Sequence, residues 1–178
     1  MNKVVGFLKN ILLMIELVLA IIFYNWEKVL FVGIVALDQI SKAIVMRCMV
    51  PGESIPILQD IFHWTYVLNP GAAFGILSNQ RMFLLVTGAA LILVTAYFYP
   101  LLKKSDACLR LGATAILSGA VSNLIDRIQT GCVVDFFDFR IWPVFNVADI
   151  AIVLGVSFMI YAILFRLDNS RKVERIRQ

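Results

Sequence analysis

Residues 123–149, NLIDRIQTGCVVDFFDFRIWPVFNVAD, carry four aspartates, and the chain is apolar and nearly uncharged for a helix length on either side. Carboxylates at the margin of hydrocarbon are costly to desolvate, so they usually face a protein interior or a water-filled cavity. We therefore expect this stretch to lie where membrane-spanning helices meet. The rest of the chain is then expected to hold it in place.

The composition is that of a membrane protein. Of the 178 residues, 61% are apolar and 16% are charged, and the mean hydropathy is +0.87. Soluble domains average about 45–50% apolar and about 25% charged residues. The net charge of +4 is concentrated in the C-terminal tail and in short loops, which indicates membrane topology rather than nucleic-acid binding. Three scattered cysteines and one histidine, His63, form no ligand cluster, so no metal or other cofactor is expected.

Four apolar segments are long enough to span a bilayer, and a fifth region differs from them in amino-acid composition. The predicted spans are residues 29–50, 82–100, 111–125 and 147–165. Between the first two, residues 51–80 mix proline and glycine with β-branched and aromatic residues, which is typical of short strands and turns. The predicted fold class is an all-α membrane protein with four transmembrane helices and a small β-structure outside the membrane.

The distribution of basic residues predicts the orientation. Cytoplasmic loops carry an excess of Lys and Arg. Eleven of the sixteen basic residues fall on one side of the four spans: Lys3, Lys9, Lys28, Lys103, Lys104, Arg110, Arg166, Arg171, Lys172, Arg175 and Arg177. Both termini are therefore expected in the cytoplasm. Asn2, Lys9 and Glu16 recur every seven residues, so residues 1–28 are predicted to form an amphipathic helix on the cytoplasmic face. Residues 167–178 form a basic cytoplasmic tail.

Polar residues converge at the outer ends of three spans. Asp38 and Lys42, at i and i+4, share a helix face and are expected to pair; the alternative is an ion pair that only locks two helices together. The third span ends in polar residues on one face, and the fourth begins with two more: Asn123, Asp126, Arg127, Asn146 and Asp149. The extramembrane segment adds an Asn-Pro-Gly turn at residues 69–71.

Asp135 and Asp149 are the strongest candidates for chemistry. They bracket a linker short enough to let their carboxyl groups face each other. Two carboxylates in a poorly solvated site do not both ionise easily, so one keeps a proton. Such a pair is suited to general acid–base hydrolysis of a peptide bond without a metal ion or covalent intermediate. Cys132 lacks an evident imidazole partner and is interpreted as a buried free thiol. Asp138 is interpreted as a solvated loop carboxylate.

From the residues alone, three functions stay open. A membrane aspartic peptidase uses the two aspartates as a catalytic pair. A proton- or ion-coupled transporter uses the same carboxylates as a relay, but it would distribute them through the depth of the membrane. The third alternative is a four-helix membrane scaffold stabilised by polar pairs.

Five sequence blocks resemble those of the lipoprotein signal peptidase family, also called signal peptidase II or aspartic peptidase family A8. They occur in the family's order over about residues 29–166: DQISK at 38–42, NPGAAF at 69–74, NLIDR at 123–127, VVDF at 133–136 and FNVAD at 145–149. Five blocks in sequence are far more specific than any one of them.

The resemblance implies an aspartic endopeptidase of the bacterial inner membrane. Such enzymes cleave the signal peptide of diacylglyceryl-modified prolipoproteins just before the lipidated cysteine. Asp135 and Asp149 would be the catalytic dyad. Supporting or substrate-binding roles would fall to Asp38, Lys42, Asn69, Gly71, Asn123, Asp126, Arg127 and Asn146.

The resemblance also implies an architecture. Residues 51–80 would form an extracytoplasmic β-cradle beside the four-helix peptidase domain at residues 29–166, and a mobile loop around residues 137–143 would cover the site. Membrane lipids and prolipoproteins are the expected partners. One chain carries every residue that the mechanism needs, so a monomer is expected.

Three features depart from the family pattern. Ser122 stands where glycine is common, so packing there is expected to differ. The linker from Asp135 to Asp149 is short, and residues 1–28 are longer than usual.

Overall fold

The computed structural model describes residue 14 and residues 25–71, 81–102 and 106–166. The predicted amphipathic helix over residues 1–28 lies outside this part of the chain, apart from Met14 and the last four residues. The predicted tail at residues 167–178 also lies outside it.

The four predicted spans are confirmed as helices, each long and apolar enough to cross a membrane. Helix α1 runs over Trp26–Cys48, α2 over Arg81–Leu102, α3 over Ala107–Gln129 and α4 over Val147–Tyr161, with a π-helical turn at Ala162–Arg166. Helix α1 begins three residues earlier than predicted, and α3 extends about one turn beyond the predicted span at each end. Helix boundaries are the least certain part of a sequence-based assignment, since apolar periodicity marks the middle of a helix better than its ends.

Helix α3 is the central helix, and α1, α2 and α4 all pack against it. Glycines on α3 and α4 allow the closest of these contacts. A Cβ atom added to Gly112 would lie 2.6 Å from the carbonyl oxygen of Gly155, and one added to Gly155 would lie 2.7 Å from the carbonyl oxygen of Gly112. The small residues of α3 therefore let the two backbones approach directly, as expected for helix packing in lipid.

A three-stranded antiparallel sheet lies at one end of the helices. The short strands predicted within residues 51–80 are present as β1 (Ser54–Leu58) and β2 (Phe62–Asn69), which pair as a hairpin. Strand β3 (Val133–Asp138) pairs with β2 to give the order β1-β2-β3. Strand β3 was not predicted. Its six residues, VVDFFD, are almost all buried, so the apolar–polar alternation that marks a half-exposed strand is missing.

A small apolar core joins the sheet to the end of α1. It comprises Val45, Met49, Tyr66, Val134 and Phe136. Trp64 stacks on the ring of Phe136 with ring centroids 5.7 Å apart. The core therefore fixes the sheet against the helix that carries Asp38 and Lys42.

The return from β3 to α4 is short and ordered by hydrogen bonds. Backbone N–H groups of Phe136 and Phe137 donate to the carbonyl oxygen of Phe145, and the N–H of Phe145 donates to the carbonyl of Phe137. Asn146 then caps α4, accepting from the N–H of Asp149 while the carboxylate of Asp149 accepts from the N–H of Asn146. This capping box sets the start of α4 directly beside β3.

Candidate active site

Asp135 and Asp149 open onto one cavity of about 250 Å³ at the sheet end of the helices. Strand β3 supplies Asp135, whose residue is only 2% exposed, and the first turn of α4 supplies Asp149. The cavity is lined by Asn69, Asn123, Arg127, Val133, Asp135, Trp142, Pro143, Val144, Phe145, Asp149, Ile152 and Val153. The fold thus brings together two carboxyl groups that lie 14 positions apart in sequence.

Asn146 contacts both carboxyl groups. Its side-chain Nδ2 donates to Oδ1 of Asp135 at 2.7 Å, and its backbone N–H donates to Oδ2 of Asp149 at 3.3 Å. One residue therefore fixes the position of each aspartate relative to the other.

Asp135 is held by two side-chain amides and is strongly shielded from water. Asn69 Nδ2 donates to its Oδ2 at 2.9 Å, opposite the contact from Asn146. Burial, together with the nearby charge of Asp149, raises the pKa of Asp135 to about 7, although the hydrogen bonds from Asn69 and Asn146 and the charge of Lys42 oppose the shift. Near neutral pH, Asp135 is therefore able to hold a proton or to release one.

Asp149 lies at the N-terminus of α4, where unpaired backbone N–H groups favour a negative charge. Asn123 Nδ2 donates to its Oδ1 at 2.8 Å. Asn123 Oδ1 in turn accepts from Lys42 Nζ at 3.0 Å and from Asn146 Nδ2 at 3.2 Å. The two asparagines therefore link both aspartates to the buried lysine of α1.

Lys42 is 1% exposed and has two carboxylate partners. Its Nζ lies 2.6 Å from Asp38 Oδ2 and 2.8 Å from Asp126 Oδ2. The predicted pairing of Asp38 with Lys42 is thus confirmed, but the pair does more than lock two helices. Asp38 Oδ1 accepts the backbone N–H of Ala148 at 2.8 Å, in the first turn of α4.

Gln39 and Ser122 complete the network, and sequence reasoning missed both. Gln39 Nε2 donates to Asp126 Oδ1 at 2.8 Å and to Ser122 Oγ at 3.0 Å, and Ser122 Oγ donates to Asp38 Oδ2 at 2.7 Å. The serine that departs from the family pattern therefore supplies a buried hydrogen bond. Gln39 follows Asp38 directly in sequence, and that position next to a buried carboxylate was the signal that could have revealed it.

Asn69 and Arg127 line the cavity, and Gly71 links them behind it. The carboxamide oxygen of Asn69 accepts the backbone N–H of Gly71 at 2.9 Å, and Arg127 Nη2 donates to the carbonyl oxygen of Gly71 at 3.2 Å. These contacts hold the end of β2 against α3. All eight predicted supporting residues therefore lie in the network around the two aspartates.

An apolar cleft of about 310 Å³ adjoins the cavity and shares Asp149, Trp142, Phe145 and Val153 with it. Ile150 and Leu154 of α4 complete its walls. The site thus has a polar floor and an apolar flank, an arrangement suited to a ligand with an apolar part next to its reacting bond.

Two sequence interpretations need correction. Asp138 is not a solvated loop carboxylate: it ends β3 and is 5% exposed. One partner, Thr65 on β2, is remote in sequence. The other, Arg140, reaches Asp138 only because of its backbone conformation, so the sequence predicted neither contact. Cys132 is a free thiol, but it is only half-buried.

Over residues 25–71, 81–102 and 106–166, no three His, Cys, Asp or Glu residues are placed to hold a metal ion.

Four helices that are long and apolar enough to cross a membrane define a multi-pass membrane protein, and its cavity lies between α3, α4 and the sheet. Two solved structures, each described as a bacterial membrane enzyme structure determined by the in meso method, share this fold. One, at 2.3 Å resolution, has a TM-score of 0.76 at 31% identity and covers 83% of this chain and 92% of its own. The other, at 1.9 Å resolution, has a TM-score of 0.72 at 31% identity and covers 81% and 96%.

Sequence comparison identifies the family. The model for signal peptidase II matches residues 30–165. The lipoprotein signal peptidase of Halothermothrix orenii is 46% identical over 128 residues, covering 71% of this chain and 87% of the relative. That of Moorella thermoacetica is 48% identical over 133 residues, covering 74% and 87%. The chain belongs to the signal peptidase II family of proteases.

Replacing Lys42 with methionine is predicted to destabilise the fold strongly. The change leaves Asp38 and Asp126 buried without their shared cation, and breaking a buried pair in this way typically costs about 3–5 kcal/mol. The free energy of unfolding, measured by titration of the purified protein from mild detergent into SDS, checks the value. Lys28→Met, at an exposed position near the start of the same helix, is the control and should change stability little. Equal effects of the two substitutions would contradict the structural role given to Lys42.

Proposed function

We propose that this protein is an intramembrane aspartic endopeptidase in which Asp135 and Asp149 form the catalytic pair. The observation that carries the proposal is the double contact of Asn146, which holds both carboxyl groups in one buried cavity. The raised pKa of Asp135 supports it, because general acid–base catalysis is most effective when a group titrates near the working pH.

The pair carries one proton at the start of the reaction. Asp135, with a pKa of about 7, is the member that holds it, while Asp149 accepts N–H donors from Asn123 and Asn146 that stabilise a carboxylate. Asp149 removes a proton from a water molecule, and the oxygen of that water attacks the scissile carbonyl carbon. Asp135 donates its proton to the carbonyl oxygen. Asp149 then donates the proton that it took from water to the amide nitrogen, while Asp135 takes a proton from one hydroxyl of the tetrahedral intermediate. The carbon–nitrogen bond breaks, the carboxylic acid and the amine leave, and the pair again carries one proton on Asp135.

The proposed substrates are diacylglyceryl-modified prolipoproteins, cleaved immediately before the lipidated cysteine. Relatives named lipoprotein signal peptidase support this assignment. The apolar cleft beside Asp149 offers space for an apolar part of such a substrate next to the catalytic pair. Transport is not favoured, since the carboxylates of the network form one cluster rather than a series along the length of the helices.

We further propose that the protein lies in the bacterial inner membrane, with both termini in the cytoplasm and the catalytic pair near the extracytoplasmic face. The excess of basic residues on the opposite side supports this orientation. A substrate anchored in the outer leaflet would then meet the cavity at the depth of the sheet.

Asp135→Asn and Asp149→Asn are each predicted to abolish cleavage of a lipid-modified precursor, with a loss of at least about 10³-fold in kcat, because an amide neither takes up nor donates the required proton. Cleavage is followed by the mobility shift of the precursor incubated with the purified protein. Asp60→Asn, at an exposed turn between β1 and β2, is the matched control and should keep wild-type activity. Retained cleavage in either dyad variant, with thermal stability intact, would disprove the assignment.

The activity is predicted to fall as the pH rises through about 7, because the pair then loses its remaining proton. Asn69 stabilises the ionised form of Asp135, so Asn69→Ala should raise that pKa and move the alkaline limb of kcat/KM to higher pH. The same raised pKa means that the folded state binds the proton more tightly. The protonated Asp135 should therefore add to the free energy of unfolding at low pH, and this contribution should be lost as the pH rises from about 4 to about 7. An unmoved alkaline limb in the Asn69 variant would contradict this account.

The natural cysteines provide a topology test. Cys48 ends α1 on the sheet side, while Cys108 begins α3 on the opposite side. In single-cysteine variants, a membrane-impermeant maleimide should label Cys48 in intact spheroplasts and Cys108 only after permeabilisation. The reverse pattern would overturn the proposed orientation.

A further inference from the structure

Asp138 is a buried carboxylate that the proposed mechanism does not use. It ends β3, three residues after Asp135, and it accepts three hydrogen bonds. Thr65 Oγ1 donates to its Oδ2 at 2.8 Å, Arg140 Nη1 donates to the same oxygen at 2.9 Å, and the backbone N–H of Arg140 donates to Oδ1 at 2.8 Å. A buried group with this many donors has a defined position, and its removal leaves those donors without their acceptor.

These contacts hold Arg140 in an unusual backbone conformation. Its φ is +66°, in the left-handed region that residues other than glycine, asparagine and aspartate rarely adopt. A conformation of this kind persists only where the surroundings impose it. The backbone N–H of Ile141 donates to the carbonyl oxygen of Phe139 at 2.8 Å and closes the turn around Arg140. Asp138 contacts both the backbone and the guanidinium of Arg140, so its carboxylate is the side-chain group that holds this turn.

The turn directs residues 139–145, here called the cover segment, toward the catalytic cavity. Trp142 lines both the cavity with Asp135 and Asp149 and the apolar cleft beside it. The base of the segment is fixed by the stacked rings of Phe139 and Phe145, with centroids 5.9 Å apart and planes at 7°. With the base fixed, the backbone direction at Arg140 contributes to the position of Trp142.

The charge of Asp138 is consistent with this role. Burial acts to raise its pKa, but the hydrogen bonds from the Arg140 backbone, Thr65 and the Arg140 side chain outweigh it and hold the pKa below the usual range for an aspartate. The group is therefore an anion at neutral pH and pairs with the guanidinium of Arg140. The charged groups that shift the pKa of Asp135 are Asp149, which raises it, and Lys42, which lowers it.

We propose that Asp138 is a positioning residue that sets substrate affinity by fixing the turn at Arg140 and thereby holding Trp142 against the cleft. The inference rests on the proposed peptidase function. It assigns to Asp138 an effect on the binding of the apolar part of the substrate, with no part in proton transfer. Thr65 shares the role, because it ties the same carboxylate to β2.

The primary test is steady-state cleavage of a diacylglyceryl-modified precursor peptide by the purified full-length protein. Asp138→Asn keeps the size of the side chain but removes its pairing with Arg140. We expect KM to rise about fivefold, kcat to change less than about twofold and the alkaline limb of the pH profile to stay in place. Thr65→Val should change KM in the same direction by a smaller factor. A fall in kcat at constant KM, or a shifted pH profile, would overturn the proposal, because either places Asp138 in the chemical step.

A backbone rescue separates positioning from charge. In Asp138→Ala, the residue at position 140 has lost the contact that holds its left-handed conformation. Glycine adopts that conformation without a steric cost, whereas alanine does not. The double variant Asp138→Ala/Arg140→Gly should therefore have a KM at least about twofold below that of Asp138→Ala/Arg140→Ala. Equal KM values would show that the turn is not what Asp138 supplies.

Two controls keep the outcomes separable. Asp60→Asn removes a carboxylate from another turn of the sheet at a residue with a positive φ and should leave KM unchanged. Thermal unfolding in detergent identifies any variant that fails to fold, and the isosteric Asn and Val variants then carry the test. If wild-type protein and Asp60→Asn do not cleave the precursor, the proposed function has failed. If they cleave it and Asp138→Asn matches them in KM, only the role of Asp138 has failed.

Discussion

The rest of the structure depends on the ammonium group of Lys42, which is buried between two carboxylates and an amide oxygen contributed by α1 and α3. Taking three charges out of water is expensive, and the cost is offset only when every group finds partners with good geometry. The chain meets that requirement by recruiting backbone N–H groups from β3 and α4 to the same carboxylates. Satisfying one buried cation thus brings four elements to a single point.

The two sides of the site follow from different forces. The polar floor is organised by hydrogen bonds whose partners come from α1, α3, α4, β2 and β3, so it tolerates little movement. The apolar flank is built from one face of α4 and the cover segment, where contacts are dispersive and less directional. A membrane peptidase needs both properties, because the reacting bond must be fixed within fractions of an ångström while apolar sequences of varied shape are admitted.

The sequence predicted the elements whose signal is local. Long apolar runs marked the four helices, and the spacing of Asp38 with Lys42 marked their shared face. Strand β3 was not predicted because it is buried almost throughout and pairs with a strand about 70 residues earlier. Asp138 was misjudged for the same reason: its donor Thr65 is remote in sequence, and the turn at Arg140 is invisible without coordinates. The sequence marked Ser122 only as a residue that stands where glycine is common. Its hydrogen bonds depend on where Gln39 and Asp38 lie in space.

The contacts of Lys42 also determine how a side-chain amide next to the aspartates is oriented. An ammonium group only donates, so it compels Asn123 to present its oxygen to the lysine and its NH₂ to Asp149. Asn146 is oriented in the same way, because its oxygen accepts the N–H of Asp149 and leaves its NH₂ for Asp135. Both aspartates consequently meet hydrogen atoms and never the lone pairs of an amide. Lys42 therefore determines which end of Asn123 faces Asp149, and the cap of α4 determines which end of Asn146 faces Asp135.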